Sequence, residues 1–284
     1  MLDYISAIIL GVVEGFTEFL PISSTGHLIL VNQFITFDKS FTLLFDIVIQ
    51  LGAILAVVVF FWKRLWPFTL RHGSGQALQN KPGQTPLKVN KDILNIWFKA
   101  VVGILPAVIL GALFASKIEE ELFNPWTVAI TLFIGGIIIL YIENSHSADP
   151  GRAKINTISE LSFKTAFFIG LIQCLSMIPG TSRAGATIIG AMVLGASRVV
   201  ATEFSFFLAI PTMIAASTWS LIKYRAILDL GQIIILGVGF FVSFVVALAV
   251  IKFLINYVQK NNFKIFGYYR IILGLIIIAY FLFI

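Results

Sequence analysis

Two glutamates, a histidine and four hydroxyl side chains lie close together near the start of the chain, in the apolar stretch VEGFTEFLPISSTGHLIL (residues 13–30). Glu14 and Glu18 are four residues apart, so a helix places both carboxylates on one face. Each charge is costly at bilayer depth, and two neighbouring carboxylates also repel each other. A bound cation, a basic partner, a shared proton or a water-filled cavity must offset them. The pair therefore indicates metal binding or proton transfer.

The residues after this pair add acid–base and nucleophilic groups. His27 comes nine residues after Glu18, and we expect it to fold back towards the acids. A Glu–His contact would orient the ring as a general acid or as an activator of a nucleophile. Ser23, Ser24 and Thr25 form the turn, where we expect one of them to be the N-cap of the next helix. Another of the three would face the cavity as a phosphate ligand or nucleophile.

A second polar break, PGTSRAGAT at residues 179–187, offers the opposite charge. Pro and Gly open a turn, and a helix N-terminus after it would present free N–H groups to a phosphate. Arg183 adds a fork of donors that matches phosphate oxygens, and Ser182 and Thr187 add hydroxyls. An arginine at mid-membrane depth needs an anion, which is either a phosphate or pyrophosphate or a carboxylate of the chain. Those carboxylates are Glu14, Glu18 and Glu203.

The composition places both breaks in a membrane protein. Of 284 residues, 58% are hydrophobic and only 12% are charged, whereas soluble domains carry about 25% charged residues. The formal net charge of +6 comes from lysines and arginines that collect in connecting loops, as orientation signals do, so it indicates no nucleic-acid partner. With a single cysteine, no disulfide forms within the chain.

Apolar segments of about 20 residues, the length that spans a bilayer, occur six times. They are residues 41–62, 93–115, 126–142, 202–222, 233–253 and 265–283. Two more apolar regions, 2–36 and 163–196, are interrupted by the polar breaks, and their short halves favour hairpins that turn back at mid-depth. The sequence predicts an all-α polytopic membrane protein with six transmembrane helices and two re-entrant helical hairpins.

The two breaks also resemble each other. GVVEGFTEFLPISSTG (residues 11–26) aligns with GLIQCLSMIPGTSRAG (residues 170–185), with Gly and Ser at the same positions. Three predicted spans lie between them, and an odd number inverts the second unit. We therefore predict an inverted-topology repeat in a single integral membrane domain, with the two broken tips meeting near the midplane. Repeat 1 covers residues 1–142, with a cytoplasmic loop at 63–92, and repeat 2 covers 143–284.

The loops set the predicted orientation. The loop at residues 63–92 is rich in Lys and Arg, with Asp92 as its only acid, so the positive-inside rule makes it cytoplasmic. Its Gly/Gln/Pro-rich part is expected to be flexible or to tether near anionic headgroups. KIEEE, at residues 117–121, is expected in an outer loop. Both termini are then outside.

Each half also has an acid near the start of the span that follows its break, Asp46 and Glu203. Both acids are expected either in interfacial water or in contact with the site. Gln50 lies one helical turn after Asp46 and is expected to complete its hydrogen bonding. A proline within a later predicted span, Pro211, is expected to mark a kink.

The motifs EGFTEFLPISSTGHL and PGTSRAGAT, together with DIVIQLGAILAV and EFSFFLAIPTM, resemble the undecaprenyl pyrophosphate phosphatase family of bacteria, also called the bacitracin-resistance family. The resemblance covers essentially the whole chain. It implies removal of the terminal phosphate of undecaprenyl pyrophosphate, which regenerates the lipid carrier for peptidoglycan and other wall polymers. It also implies an integral protein of the bacterial plasma (inner) membrane, an inverted-repeat fold, a site open to the outer face and a divalent cation, magnesium or calcium.

The same resemblance assigns the site residue by residue. The family's paired acids, serine and histidine, and phosphate-binding motif match Glu14, Glu18, Ser24, His27, Ser182, Arg183 and Thr187. The sequence departs from the family pattern PGxSRSxxT at Ala184, which excludes a hydroxyl role there but leaves Arg183 in place.

We therefore predict a membrane hydrolase of a polyprenyl pyrophosphate. The phosphates are held by Arg183 and the hydroxyls of Ser23, Thr25, Ser182 and Thr187. Glu14 and Glu18 bind metal or manage protons, His27 assists, and either Ser24 or water is the nucleophile.

An inverted-repeat transporter or flippase of a phosphorylated lipid or anion fits the repeat and a midplane site equally well. A scaffold without chemistry would leave the acids and Arg183 unexplained. Besides the polyprenyl substrate and membrane lipids, a homodimer is the further association expected.

Overall fold

The computed structural model describes residues 2–35, 37–70, 87–148, 153–223 and 228–283. In chain order the helices are α1 (Leu2–Thr17), α2 (Ser24–Val31), α3 (Lys39–Phe60), α4 (Trp62–Leu65), α5 (Lys91–Leu122), α6 (Pro125–Ala148), α7 (Phe163–Gln173), α8 (Arg183–Val193), α9 (Arg198–Lys223), α10 (Leu230–Val258) and α11 (Lys264–Phe283). Two short strands, β1 (Phe68–Leu70) and β2 (Leu87–Val89), pair antiparallel between α4 and α5.

Six of these helices are long and apolar enough to cross a bilayer: α3, α5, α6, α9, α10 and α11. Five of them contain a predicted span in full, and α3 covers the predicted span 41–62 up to its end at Phe60, so the chain is a helical, multi-pass membrane protein as predicted. Residues 71–86 of the predicted cytoplasmic loop lie outside the described residues. Pro211 lies inside α9, where the sequence expects a kink.

The expected loop at residues 117–121 is wrong, because these residues continue α5, while their place on the outer side stays a prediction. This helix has 32 residues and is about 48 Å long at 1.5 Å per residue, well beyond a hydrocarbon core of about 30 Å. Lys and Glu are good helix formers, so the helix continues into the polar phase with no residue to stop it. Its start is fixed by Asn90, whose side chain accepts from the N–H groups of Asp92 and Ile93.

Both polar breaks interrupt a helical path in the same way. α1 ends before the first break and α2 begins after it, while α7 and a 3₁₀ turn (Cys174–Met177) precede the second break and α8 follows it. Ser23 and Ser182 are the N-caps of α2 and α8, with φ of 73° and 74°. Each hydroxyl accepts from the N–H three residues on, that of Gly26 or Gly185. A serine N-cap in the first break is therefore confirmed.

The long helices pack through close backbone contacts at glycine. α1 packs on α10 and α7 packs on α5, while α3 packs on α9 and α10, and α6 packs on α11. A Cβ added at Gly11 would lie 2.8 Å from the carbonyl oxygen of Gly239, and one added at Gly170 would overlap the carbonyl group of Gly103. Small residues of this kind let membrane helices approach closely.

The Gly170 contact gives a direct test of this packing. Because a methyl group at this position would overlap backbone that cannot rotate away, we expect Gly170→Ala to destabilise the protein by about 1–3 kcal/mol or more. The measurement is thermal unfolding of the detergent-purified protein. Gly237→Ala is the matched control, since nothing lies within 4 Å of a Cβ there. Equal melting temperatures for the two variants would contradict the packing described.

Candidate active site

The acid of the first break and the arginine of the second form a buried ion pair. Glu18 directly follows α1, and its N–H still bonds the carbonyl of Glu14 at 2.9 Å, so it keeps the helical register. Arg183 is the first residue of α8, and its Nη2 donates to Glu18 Oε1 at 3.0 Å. The two side chains are 10% and 5% exposed. Of the three carboxylates expected as alternatives to phosphate, the structure pairs Arg183 with Glu18.

The same carboxylate also holds the serine of the first break. Ser24 Oγ donates to Glu18 Oε2 at 2.5 Å, within the range of charge-assisted O–H···O⁻ bonds. The hydroxyl therefore has a carboxylate in place to accept its proton, as an activated nucleophile requires. One side chain thus joins an anion-binding group, Arg183, to a candidate nucleophile, Ser24.

Arg183 keeps one donor free. Its Nη1 donates to the carbonyl oxygen of Ser205 at 3.1 Å and reaches the Ser205 hydroxyl at 3.4 Å, and its guanidinium lies 5.7 Å from the ring centroid of Phe19. Its Nε is buried without a hydrogen-bond acceptor among the described residues. A buried N–H without a partner costs free energy, which a phosphate oxygen bound there would recover. Ser205 lies in the motif EFSFFLAIPTM but was assigned no role from the sequence.

Most of the hydroxyls expected to bind phosphate have partners within the protein. Thr187 is fully buried, and its hydroxyl contacts the Ser205 hydroxyl at 2.6 Å and the carbonyl of Arg183 at 2.9 Å. The hydroxyls of Ser23 and Ser182 cap helices. They hold α2 and α8 in place, and Thr187 supports the backbone of Arg183.

Thr25 differs from these three. It is half-buried, and its hydroxyl has no hydrogen-bond partner within the described part of the chain. Of the hydroxyls expected to bind phosphate, it is therefore the one left available.

Glu14 is the buried acid without a partner. It lies in the last turn of α1, is 1% exposed, and its Oε1 has no hydrogen-bond donor among the described residues. No group of three or more His, Cys, Asp or Glu side chains placed to hold a metal occurs in the described ranges. A magnesium ion, however, is commonly held by one or two carboxylates together with substrate phosphates and water. The free oxygen of Glu14 fits such a site.

His27 does not contact either glutamate, so the expected Glu–His contact is wrong. Its Nδ1 lies 2.7 Å from the carbonyl oxygen of Ser23, and its Nε2 lies 2.6 Å from the hydroxyl of Tyr269 on α11. No sequence pattern indicated this tyrosine, because 242 residues separate it from the histidine.

The acids at the starts of the following spans have other partners. Asp46 accepts from the side-chain amide of Asn32 at 3.2 Å, and not from Gln50 as expected. Glu203 forms a bidentate pair with Arg64, at 2.6 and 2.9 Å, in which the Arg64 side chain is 48% exposed. Neither acid belongs to the Glu18–Arg183 cluster.

Arg270 is a buried cation that the sequence analysis missed. It is 1% exposed and lies on α11. Its guanidinium donates to five carbonyl oxygens, those of Pro21, Thr131, Leu132, Gly180 and Thr181. It therefore ties α11 to α6 and to both breaks. One feature of the sequence could have indicated this residue. It is a single charge inside the predicted span 265–283, and a charge within a membrane span is energetically costly.

The buried pair predicts a specific pattern of stability. Removing one charge with Arg183→Met leaves Glu18 buried and unpaired, which we expect to cost about 3–5 kcal/mol. Adding Glu18→Gln should recover much of this loss, because no charge then remains unpaired. Arg64→Met, which breaks the exposed pair with Glu203, should cost about 0–1 kcal/mol. Unfolding of the three purified variants and the wild type measures this, and equal losses for the Arg183 single and double variants would contradict it.

Comparison with known proteins agrees with this architecture. The family model described as "Bacitracin resistance protein BacA" matches residues 7–276. A protein of Lachnoclostridium phytofermentans named undecaprenyl-diphosphatase is 48% identical over 283 residues, covering 99% of this chain and 98% of the relative. One of the same name in Enterococcus faecalis is 44% identical, covering 98% and 96%. Undecaprenyl-diphosphatase 1 of Clostridioides difficile is 46% identical, covering 99% and 97%. Since these matches extend over nearly the whole chain, it belongs to the bacitracin resistance protein BacA family.

Proposed function

We infer that the chain hydrolyses undecaprenyl diphosphate to undecaprenyl phosphate and inorganic phosphate, and so recycles the lipid carrier for cell-wall synthesis. Among the structural observations, the one that carries this inference is the shared carboxylate of Glu18, which holds an arginine on one oxygen and a serine hydroxyl on the other. Phosphoryl transfer uses a group that binds the phosphate and a nucleophile placed beside a base that can accept its proton. The full-length relatives named undecaprenyl-diphosphatase support the same reaction.

The terminal phosphate would bind at Arg183. Its oxygens would take up the Nε donor, which has no acceptor among the described residues, and the N–H groups at the start of α8. Thr25 is the hydroxyl available to assist. Ser182 and Thr187 would affect phosphate binding indirectly, because they position Arg183. Ser23 would do so by positioning α2.

We propose Ser24 as the nucleophile, with Glu18 as its base. Attack of Ser24 Oγ forms a bond to the terminal phosphorus and breaks the bond to the bridging oxygen, while the hydroxyl proton moves to Glu18. Undecaprenyl phosphate leaves. A water molecule then gives its hydroxyl to phosphorus and its remaining proton to the departing phosphate, and Ser24 recovers a proton from Glu18. In the alternative, water attacks directly and Glu18 accepts its proton.

A divalent cation, magnesium or calcium, would be held by Glu14 and by substrate oxygens, with Glu18 as the second candidate ligand. Both oxygens of Glu18 already have partners, so the free Oε1 of Glu14 is the better-placed donor. When bound, the cation would supply positive charge that offsets the charge of the diphosphate.

We also propose that residues 1–142 and 143–284 form an inverted repeat. Three correspondences support it. The two capping serines have nearly the same positive φ. The packing of α1 on α10 corresponds to the packing of α7 on α5. The close contact between Gly11 and Gly239 corresponds to that between Gly170 and Gly103. In this arrangement the hairpins re-enter from opposite faces, the site opens to the outer face and both termini are outside. The homodimer stays a prediction, and the mass of the protein–detergent particle measures it.

The first experiment supplies the detergent-purified protein with undecaprenyl diphosphate and measures phosphate release. We expect Arg183→Ala, shown to be folded, to lower kcat/KM by roughly a hundredfold or more, since it removes donors to the transferred phosphate. Arg64→Ala, whose pair lies outside the site, should retain activity. A transporter or flippase would bind or move the lipid without releasing phosphate, and that outcome would overturn the proposed reaction.

The second experiment separates the two nucleophiles. If Ser24 forms the covalent intermediate, Ser24→Ala lowers kcat by roughly a thousandfold or more, and acid-quenched wild-type enzyme contains phosphorylated Ser24 detectable by peptide mass spectrometry. Ser6→Ala, on the far turn of α1, is the control. If water attacks directly, no phosphoserine is detected, and Ser24→Ala lowers kcat only modestly.

The third experiment removes the cation. Chelation should abolish phosphate release, and added magnesium or calcium should restore it. Glu14→Gln should raise the cation concentration needed for half-maximal activity at least tenfold, because it removes the carboxylate charge that has no other partner. Unchanged activity in excess chelator would contradict the cation requirement.

A further inference from the structure

The imidazole of His27 is held at both nitrogens. Its Nδ1 faces the carbonyl oxygen of Ser23, which accepts hydrogen bonds and cannot donate, so Nδ1 must carry a proton. In the neutral ring, Nε2 is then an acceptor. The group facing it at 2.6 Å is the hydroxyl of Tyr269, which can donate. The geometry therefore fixes the Nδ1–H tautomer.

Tyr269 is itself held in place. It lies on α11 directly before Arg270, whose bonds to five carbonyl oxygens join α11 to α6 and to both breaks. Its ring is nearly parallel to that of His27, with an interplanar angle of 6° and centroids 5.7 Å apart. The tyrosine thus fixes both the plane of the imidazole and the direction of Nε2.

We propose that Tyr269 is a positioning residue for His27, one that restricts proton exchange by the imidazole to Nε2. This inference rests on the proposed phosphatase function, to which it adds that His27 exchanges a proton with a phosphate oxygen at Nε2. The hydroxyl suits both charge states. It donates to Nε2 of the neutral ring, and it accepts from Nε2–H of the imidazolium, while Nδ1–H stays on the Ser23 carbonyl throughout.

The charged groups near His27 have other roles, so they do not replace the tyrosine. On α1, Glu18 is engaged by Arg183 and Ser24, and Glu14 makes no contact with the imidazole. On α11, the donors of Arg270 point to backbone carbonyls. Tyr269 is therefore the side chain that contacts Nε2 of His27.

The tautomer can be observed directly. The chain has three histidines, so ¹⁵N-histidine labelling gives few ring signals, and His27→Gln identifies those of His27. At a pH where the ring is neutral, we expect Nδ1 protonated and Nε2 unprotonated. Tyr269→Phe keeps the stacked ring but removes the hydroxyl, so the Nε2 signal should shift. An Nε2–H tautomer in the wild type, or an unshifted signal in Tyr269→Phe, would overturn the proposal.

Tyr268→Phe is the matched control. Tyr268 is the neighbouring residue on α11, is 56% exposed, and makes no hydrogen bond within the described residues. Its substitution removes the same hydroxyl from the same helix, so the His27 signals and the rate of phosphate release should be unchanged.

A double-mutant cycle then connects the contact to the reaction. We expect Tyr269→Phe to lower kcat roughly tenfold, with KM within about twofold, because the ring loses a fixed orientation. In a His27→Gln background the same substitution should cause no further loss, since residues that act through one another are not additive. An additive loss would mean that Tyr269 acts on something other than His27, and would overturn the proposal.

These readouts separate the two hypotheses. If the wild-type protein releases no phosphate, the proposed function fails whatever the tautomer. If it releases phosphate, but Tyr269→Phe changes neither the Nε2 signal nor kcat, the proposed function is supported and the positioning role is contradicted.

Discussion

A buried guanidinium that donates to backbone carbonyls, and to no carboxylate among the described residues, joins the two polar breaks. An unwound segment inside a membrane exposes carbonyl groups that have neither water nor a helical N–H to bind, which is why irregular backbone at that depth is rare. Arg270 supplies donors to such carbonyls in both breaks and on α6. Its own burial is offset by the same five bonds. The unpaired carbonyl groups of the breaks and the buried arginine would each be costly without the other, so each stabilises the other.

The site follows from this anchor. With the carbonyls of both breaks held, Ser23 and Ser182 can adopt a left-handed conformation that is uncommon for residues other than glycine. Each then starts a short helix, whose first residue is Ser24 or Arg183. Glu18 lies between these two residues and bonds both, so Arg183 reaches across to the first break. The residues proposed to act in catalysis are thus positioned by backbone geometry and helix caps, which are stiffer than a set of long side chains.

The sequence predicted what local patterns control, and missed what depends on distant contacts. Apolar length fixed the six spans, and lone polar groups in apolar surroundings identified Glu18, Ser24 and Arg183. The sequence could not show that Tyr269 contacts His27 or that Ser205 contacts Arg183, because nothing local to Tyr269 or Ser205 indicates a partner far along the chain. The outer loop at 117–121 was misplaced for a different reason. Hydropathy marks where the membrane ends, whereas helix propensity decides where the helix ends.

The ion pair between the two breaks bears on how a diphosphate can enter. With both glutamates ionised, Glu14 and Glu18 bring two negative charges to the buried centre, and Arg183 and Arg270 bring two positive ones. The site therefore has no excess positive charge for a substrate whose terminal phosphate alone carries about −1.5 to −2 at neutral pH.

In the proposed reaction, a divalent cation beside Glu14 would supply further positive charge, at the oxygen for which the described residues provide no donor. Phosphate binding at Nε of Arg183 would leave the contact between its Nη2 and Glu18 in place. The charge balance of the buried site is thus the physical reason for proposing a cation, whichever nucleophile attacks the phosphorus.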